Sequence, residues 1–185
     1  NMIVPTFIPD DGKLAALKAA AQQWAAWDLT GRQLCALELL MTGAFAPLAS
    51  FLGRADYESV LAEMRLSGGA FWPMPITLDV SREFAAALEI GARIALRDAE
   101  GLLLALMTVR EIWEPNREAE ALALYGSLDR SLPDVRHALE SSRPISISGE
   151  LQAIALPTHY DLLHLRLTPA AARAAFNQAG WRRVL

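Results

Sequence analysis

Cysteine and lysine are both scarce in this chain of 185 residues, and each shortage excludes a class of protein. The single cysteine, Cys35, cannot form an internal disulfide, which excludes a disulfide-stabilised secreted scaffold and favours a reducing compartment. Lysine occurs only at Lys13 and Lys18, the arginines are scattered, and the net charge is −4. Because nucleic-acid-binding proteins usually carry a basic stripe that contacts phosphates, we expect no nucleic-acid partner.

Long apolar runs are absent as well. No stretch approaches the ~18 residues that cross a membrane, and residues 2–6 lack the basic start of a secretory signal. We therefore expect a cytoplasmic protein with no membrane partner. With 53% hydrophobic residues, a chain of this length can bury roughly 70% of its unfolded surface, which is enough for one domain or one domain with a small satellite.

Helical periodicity dominates the first third of the chain. Apolar side chains recur every three or four residues over 13–27, 32–41 and 56–64, which is the spacing of one helix face. Gly43 is placed to end the second of these helices, and Asp56 is placed to cap the third. The sequence therefore predicts three helices before residue 65.

A second pattern replaces this periodicity after residue 69. Short apolar segments, several of them alternating with polar residues, predict strands. These segments are residues 75–80, 93–98, 102–113, 145–148 and 151–156. Gly101 permits the left-handed conformation of a tight hairpin between the second and third strands. Gly149 is expected to interrupt the extended backbone between the last two strands.

Helix signals return between and after the strands. Ser81 is an N-cap candidate for a short helix. Thr168 and Pro169 are typical of the start of a final helix, and Gly180 follows its end. Two further helices are predicted over residues 116–125 and 133–141. Helices lead and antiparallel strands follow, so we predict an α+β domain built around a small barrel or curled sheet.

Residue types that carry metal or nucleophilic chemistry are few and poorly placed. His159, Asp161 and His164 are potential metal ligands, but on a strand the first two share one face and the third lies on the other. We therefore favour a hydrogen-bonded surface or interface histidine over a metal ligand. Cys35 is surrounded by leucines, so a buried apolar cysteine is favoured over a nucleophile.

Phosphate-binding and acid-base signals are missing too. The glycines of SGGAFW at residues 67–72 lack the spacing of a phosphate-binding loop, and no lysine is near, so they predict a turn. Glu118 and Glu120 fall on a predicted helix surface, where solvation is the expected role. From the residues alone we predict no catalytic residue, no metal site and no cofactor site in this chain.

Five segments of the chain resemble one enzyme family, in the same order. They are LTGRQLCALELLMTGAFAPLASFLGRADYESVLAEMRL at 29–66, FWPMPITLDV at 71–80, IGARIALRDAEGLLLALMTV at 90–109, ALPTHYDLLHLRLTPAAARAAF at 155–176 and GWRRV at 180–184. Together they cover nearly everything from Leu29 to Val184, and several are long and unusual in composition. The sequence is similar to the N-terminal region of ATP sulfurylase, also called sulfate adenylyltransferase.

This resemblance implies a PUA-like fold, a small mixed β-barrel with flanking helices, in a domain that itself carries no catalytic residue and no cofactor. It implies an N-terminal helical arm over residues 1–28, the PUA-like domain over 29–181, and the start of an absent catalytic domain over 182–185. The complete family enzyme transfers the adenylyl group of MgATP to sulfate and releases pyrophosphate. Because Asn1 precedes Met2 and the chain stops in an apolar stretch, we expect a piece of a longer protein that is inactive alone.

The resemblance also implies partners. The first is the catalytic domain of the same protein, the second is another copy in a homo-oligomer, and some relatives carry a fused adenylylsulfate kinase. His159, Tyr160 and Asp161 follow a turn at Pro157. Because polar groups are costly to bury without partners, we predict that these three residues contact the catalytic domain.

The sequence departs from the family pattern in three places. An acidic residue of the family is Ala36 here, AFAPLASF at 44–51 differs from the family's glycine-containing segment, and SLDRSLPDV at 127–135 has lost a histidine and a glycine. These departures leave open a degenerate sulfurylase fused to an adenylylsulfate kinase. An RNA-binding PUA-type module is the other alternative, and the acidic charge argues against it.

Overall fold

The structure is a computed structural model that describes residues 11–184. Within these residues it contains seven α-helices and five strands. In chain order they are α1 (Asp11–Ala21), β1 (Ala25–Asp28), α2 (Gly31–Met41), α3 (Arg54–Glu63), β2 (Leu78–Val80), α4 (Arg82–Ala86), β3 (Arg93–Arg97), β4 (Leu103–Trp113), α5 (Arg117–Tyr125), α6 (Pro133–Arg136), β5 (Ile145–Ala153) and α7 (Pro169–Gln178). A π-helical turn over His137–Ser141 continues α6, and a 3-10 helix over Leu163–Leu165 precedes α7.

The five strands form one sheet in the order β1-β3-β4-β5-β2. Strands β3 and β4 form the predicted hairpin, in which the Asp98 amide donates to the Leu102 carbonyl at 3.1 Å and Gly101 adopts a φ of +86°. Strands β2 and β5 are antiparallel, with Leu78 opposite Ile147. The combination of helices with this sheet confirms the predicted α+β class.

The chain forms two compact units. Within the described residues, the first unit consists of 11–49, 95–106 and 151–184, and the second consists of 50–94 and 107–150. Each unit contains its own fully buried apolar side chains, and so each has a core. None of the helices in this part of the chain is long and apolar enough to span a membrane.

Helix α2 is a firmly anchored element of the first unit. The Thr30 hydroxyl accepts from the Gln33 amide at 3.3 Å, and the Gln33 side-chain oxygen accepts from the Thr30 amide at 3.1 Å, which is a capping box. Leu37, Leu40 and Met41 lie on one face of the helix and are fully buried. Capping and burial together fix the position of this helix.

Helix α1 is shorter than its periodicity predicts. The predicted helix over 13–27 stops before β1, which takes its last residues. Pairing with β3 explains the difference, because the Leu29 amide donates to the Arg97 carbonyl at 2.8 Å and Arg97 forms an ion pair with Asp28 at 2.8 Å. Hydrogen bonds to a neighbouring strand thus override the helical pattern of the sequence.

Helix α3 of the second unit begins at a cap that differs from the predicted one. Its N-cap is Gly53, and the Arg54 amide donates to Glu111 Oε2 on β4 at 2.7 Å. A β-carbon at position 53 would lie 2.8 Å from the same carboxylate, so glycine leaves room for it. The prediction that Asp56 caps this helix is wrong. Asp56 lies in the first turn and accepts from the Ser67 amide at 2.8 Å instead.

Strand β5 runs without interruption through Gly149, so the predicted break there is wrong. A β-carbon at this position would lie 2.0 Å from the Thr108 carbonyl oxygen on β4. The Ser50 hydroxyl also donates to the Gly149 carbonyl at 2.5 Å. Glycine is therefore required here by the close approach of a neighbouring backbone and not by a turn.

The remaining predicted helices are confirmed with small changes. Ser81 and Thr168 cap α4 and α7 by accepting amide hydrogen bonds, and Asn116 caps α5 in the same way. The predicted helix over 133–141 is α6 followed by the π-helical turn. Side chains close in sequence set these helix starts, which explains why the sequence predicts them.

Candidate functional site

Most of the exposed large apolar side chains of the first unit lie in the segment that follows β5. Tyr160 is 79% exposed and Trp181 is 61% exposed. We call this set the C-terminal apolar surface, and its members are Leu156, Tyr160, Leu162, Leu165, Leu167, Trp181 and Val184. Large apolar side chains gathered on one exposed segment are typical of a contact surface.

His159, one of the predicted contact residues, is held by helix α2. Its Nε2 atom lies 2.7 Å from Glu38 Oε1, and the two side chains are 31% and 29% exposed. Because an ionised carboxylate only accepts hydrogen bonds, Nε2 carries the proton and donates it. The bond joins residues that are 121 positions apart in the sequence. His159 is therefore the hydrogen-bonded histidine that the sequence favours.

Asp161 is held within its own segment. The Arg166 guanidinium donates to Asp161 Oδ1 at 2.9 Å and to the Asp161 carbonyl at 3.1 Å. The hydrogen bond from Arg166 is the main reason that the pKa of the Asp161 carboxyl lies below its usual value. Tyr160, the third predicted contact residue, lies between these two held residues with its side chain exposed.

His164 does not form a metal site with its neighbours. It is exposed and belongs to the 3-10 helix. Between residues 11 and 184, no group of three His, Cys, Asp or Glu side chains is arranged to hold a metal ion. His159 Nε2 pairs with Glu38, and Asp161 Oδ1 pairs with Arg166.

Cys35 is exposed, so the prediction of a buried apolar cysteine is wrong. It precedes the fully buried Leu37 by two positions, which corresponds to about 200° around helix α2. Its leucine neighbours in the sequence therefore occupy a different face of the helix from the thiol.

A buried polar cluster lies in the second unit. The Tyr57 hydroxyl donates to Glu120 Oε2 at 2.8 Å, and Arg117 Nη1 donates to the same oxygen at 2.7 Å. Arg117 Nη2 donates to the Arg143 carbonyl at 2.8 Å. Burial, followed by the charge of Glu120, raises the pKa of the Tyr57 hydroxyl far above its usual value.

The prediction that Glu120 is solvated is wrong, because this side chain is buried. Its partner Tyr57 is 63 positions away in the sequence. The local signal that could have indicated a paired carboxylate is Arg117, three residues earlier on the same helix. Arg117 and Glu120 pair their opposite charges, which indicates a structural role, although among the described residues the buried Arg117 Nε has no hydrogen-bond partner.

A cleft of about 400 Å³ lies in the second unit between α3, the end of β4 and the start of α5. Leu61 and Trp113 are among the residues that line it. Among the described lining residues Arg54 is the only cation, and it is paired with Glu58 at 2.7 Å. Because its cation is already paired with a carboxylate, the cleft is poorly suited to a polyanionic ligand.

The chain matches the profile of the PUA-like domain family over residues 1–156. It therefore belongs to the family of PUA-like domains, and the predicted fold is confirmed.

Curated relatives of the chain share the name of one enzyme. It is 44% identical over 176 residues to a sulfate adenylyltransferase of Eremothecium gossypii, a match that covers 95% of this chain and 35% of the relative. It is 40% identical over 159 residues to a sulfate adenylyltransferase of Saccharomyces cerevisiae, covering 86% of this chain and 31% of the relative. The resemblance to ATP sulfurylase is thus confirmed, and the chain spans about a third of the length of these relatives.

A solved structure shares the fold over almost the whole chain. It is described as a hexameric APS kinase from Thiobacillus denitrificans and matches with a TM-score of 0.73 and 36% identity. The match covers 98% of this chain and 31% of the other. The chain therefore corresponds to one part of that longer protein as well.

Proposed function

We propose that this chain is the N-terminal, non-catalytic domain of a sulfate adenylyltransferase. That enzyme transfers the adenylyl group of MgATP to sulfate, which gives adenosine 5′-phosphosulfate and pyrophosphate. The observation that carries the proposal is the match of nearly the whole chain to about a third of each sulfate adenylyltransferase. A match of this extent fits a domain of the enzyme better than the whole enzyme.

The reaction requires groups that align sulfate and neutralise charge. Sulfate is a weak nucleophile, and the phosphorus atom it attacks is surrounded by negative oxygen atoms. Because Arg54, the only cation among the described residues of the cleft in the second unit, is paired with Glu58, we assign these groups, and the binding of MgATP, to another domain. In this proposal the chain supplies no catalytic residue and scaffolds the catalytic domain.

The C-terminal apolar surface is the proposed contact with the catalytic domain. Covering it removes apolar area from water, which favours association. His159, Tyr160 and Asp161 lie in the same segment. The side chains of His159 and Asp161 form hydrogen bonds on either side of Tyr160. These bonds restrain the backbone, so that the exposed Tyr160 side chain is positioned to contact the partner.

A homo-oligomer with a fused adenylylsulfate kinase is the proposed setting of the complete protein. The description of the matching solved structure as a hexameric APS kinase supports both features. The arm over 1–28, the PUA-like domain over 29–181 and the start of the catalytic domain at 182–185 stay predictions, as does the cytoplasmic location. Residues 1–10 and 185 lie outside the described residues.

Activity of the purified chain tests the non-catalytic assignment. We expect the chain alone to show no sulfate-dependent release of pyrophosphate from MgATP. The complete Eremothecium gossypii enzyme serves as the positive control in the same assay. Turnover by the chain alone contradicts the assignment.

A chimeric enzyme tests the scaffolding role. We expect turnover to survive when the matching third of the Eremothecium gossypii enzyme is replaced by this chain. Adding His159→Ala, Tyr160→Ser and Asp161→Ala should then lower activity or assembly by about tenfold or more, because the contact loses its anchors. The control is Glu58→Ala, at an exposed pair of the second unit. A chimera that both assembles and turns over normally with all three replacements contradicts the proposed contact.

A further inference from the structure

Few hydrogen bonds hold the backbone of the segment that carries Tyr160 in the described part of the chain, where Arg166 donates to the Asp161 carbonyl and Pro157 is buried. Within the described chain, residues 156–161 belong to no helix or strand and make no backbone-to-backbone hydrogen bond. The pair between Asp161 and Arg166 is local, since its members are five positions apart. The bond from His159 to Glu38 is different, because it ties the segment to a distant helix of the first unit.

Glu38 is well placed to hold this segment. Its neighbours Leu37, Leu40 and Met41 are fully buried, so the turn of α2 that carries Glu38 is anchored in the core. The 2.7 Å distance from Oε1 to His159 Nε2 is that of a strong, charge-assisted hydrogen bond. Both side chains are about two-thirds buried, and therefore less screened by water than the exposed ion pairs of the chain.

We infer that Glu38 is a positioning residue, which fixes the backbone of residues 157–162 through His159 so that Tyr160 is presented in one place. The inference rests on the proposed function only in naming the catalytic domain as the partner that Tyr160 meets. A preordered contact segment loses less conformational entropy on binding than a loose one. Glu38 thereby contributes to a contact that it does not itself make.

Proteolysis of the 185-residue chain tests the inference. Chymotrypsin cuts after tyrosine, and cleavage after Tyr160 requires the segment to leave its held conformation. Glu38→Ala and His159→Ala should each speed this cleavage about five- to tenfold, because the population of the open segment rises. The double replacement should be no faster than either single one, because both remove the same bond.

Two variants separate positioning from a general loss of structure. Glu38→Gln keeps an oxygen that accepts from His159 Nε2, so cleavage should stay within about twofold of the original rate. Glu58→Ala, at an exposed pair of the second unit, should leave the rate unchanged. Circular dichroism and urea midpoints check that every variant is folded. The inference is overturned if Glu38→Ala leaves the rate unchanged, or if Glu38→Gln cleaves as fast as Glu38→Ala.

The chimeric enzyme distinguishes this inference from the proposed function. If Glu38→Ala speeds cleavage of the chain and also weakens assembly of the chimera, both are supported. If it speeds cleavage of the chain while the chimera assembles and turns over normally, Glu38 still positions the segment, and the proposed contact with the catalytic domain is wrong.

Discussion

A buried polar cluster in the second unit and the C-terminal apolar surface of the first unit differ in how far their side chains find partners within the chain. The second unit contains the buried ion pair of Arg117 and Glu120, and Tyr57 donates a further hydrogen bond to the same carboxylate. The first unit leaves apolar side chains such as Tyr160 and Leu165 in water. A buried ion pair already has its countercharge within the unit, whereas covering an exposed apolar surface with a partner lowers the free energy. The difference separates a structural cluster from the proposed contact surface.

Opening the buried cluster is the strongest test of this comparison. In Glu120→Ala, Arg117 and Tyr57 lose their acceptor inside the protein, and the free energy of unfolding should fall by about 3–5 kcal/mol. Urea unfolding followed by circular dichroism measures the change. Glu58→Ala is the matched control, because its pair is exposed and its loss should leave the midpoint unchanged. A loss below about 1 kcal/mol in Glu120→Ala would show that the second unit does not depend on the cluster.

Strand packing in the second unit gives the next largest effect. Gly149→Ala places a methyl group against the Thr108 carbonyl, and we expect a loss of about 1–3 kcal/mol in the free energy of unfolding. The control is Gly68→Ala, since a β-carbon there meets no atom within 4 Å. Equal urea midpoints for the two variants would refute the role assigned to Gly149.

Replacements on the C-terminal apolar surface should have the smallest effect on stability. Tyr160→Ser, Leu165→Ser and Leu167→Ser, made singly, should each change the free energy of unfolding by no more than about 0.5 kcal/mol, because these side chains are exposed in the chain alone. Leu37→Ala, in the core of the same unit, should cost about 2–5 kcal/mol. A large loss of unfolding free energy in the serine variants would mean that these side chains stabilise the first unit itself, which would contradict a surface that serves only to contact a partner.

Local signals in the sequence were sufficient for elements that neighbours in the chain define. The Thr168 cap of α7 bonds an amide three residues away, and the Gly101 hairpin joins consecutive strands. Prediction failed where a distant residue decides. Glu111 replaces Asp56 as the acceptor at the start of α3, and Thr108 explains Gly149. No local pattern contains that information.

The candidate site divides in the same way. His159, Tyr160 and Asp161 could be selected from the sequence because they form a polar group after the turn at Pro157. Glu38 could not be selected, since it lies 121 positions from His159 and sits in a leucine-rich helix. A hydrogen-bond partner as distant in the sequence as Glu38 is from His159 can be identified only from the tertiary structure.

The capping of α3 by Glu111 has a consequence for the order of events during synthesis. The Arg54 amide receives its acceptor from a residue 57 positions further along the chain. A ribosome finishes all of α3 before it translates that glutamate, and N-terminal segments fold first as they emerge. The Arg54 amide therefore has only water to bond in place of this carboxylate until the ribosome has translated Glu111.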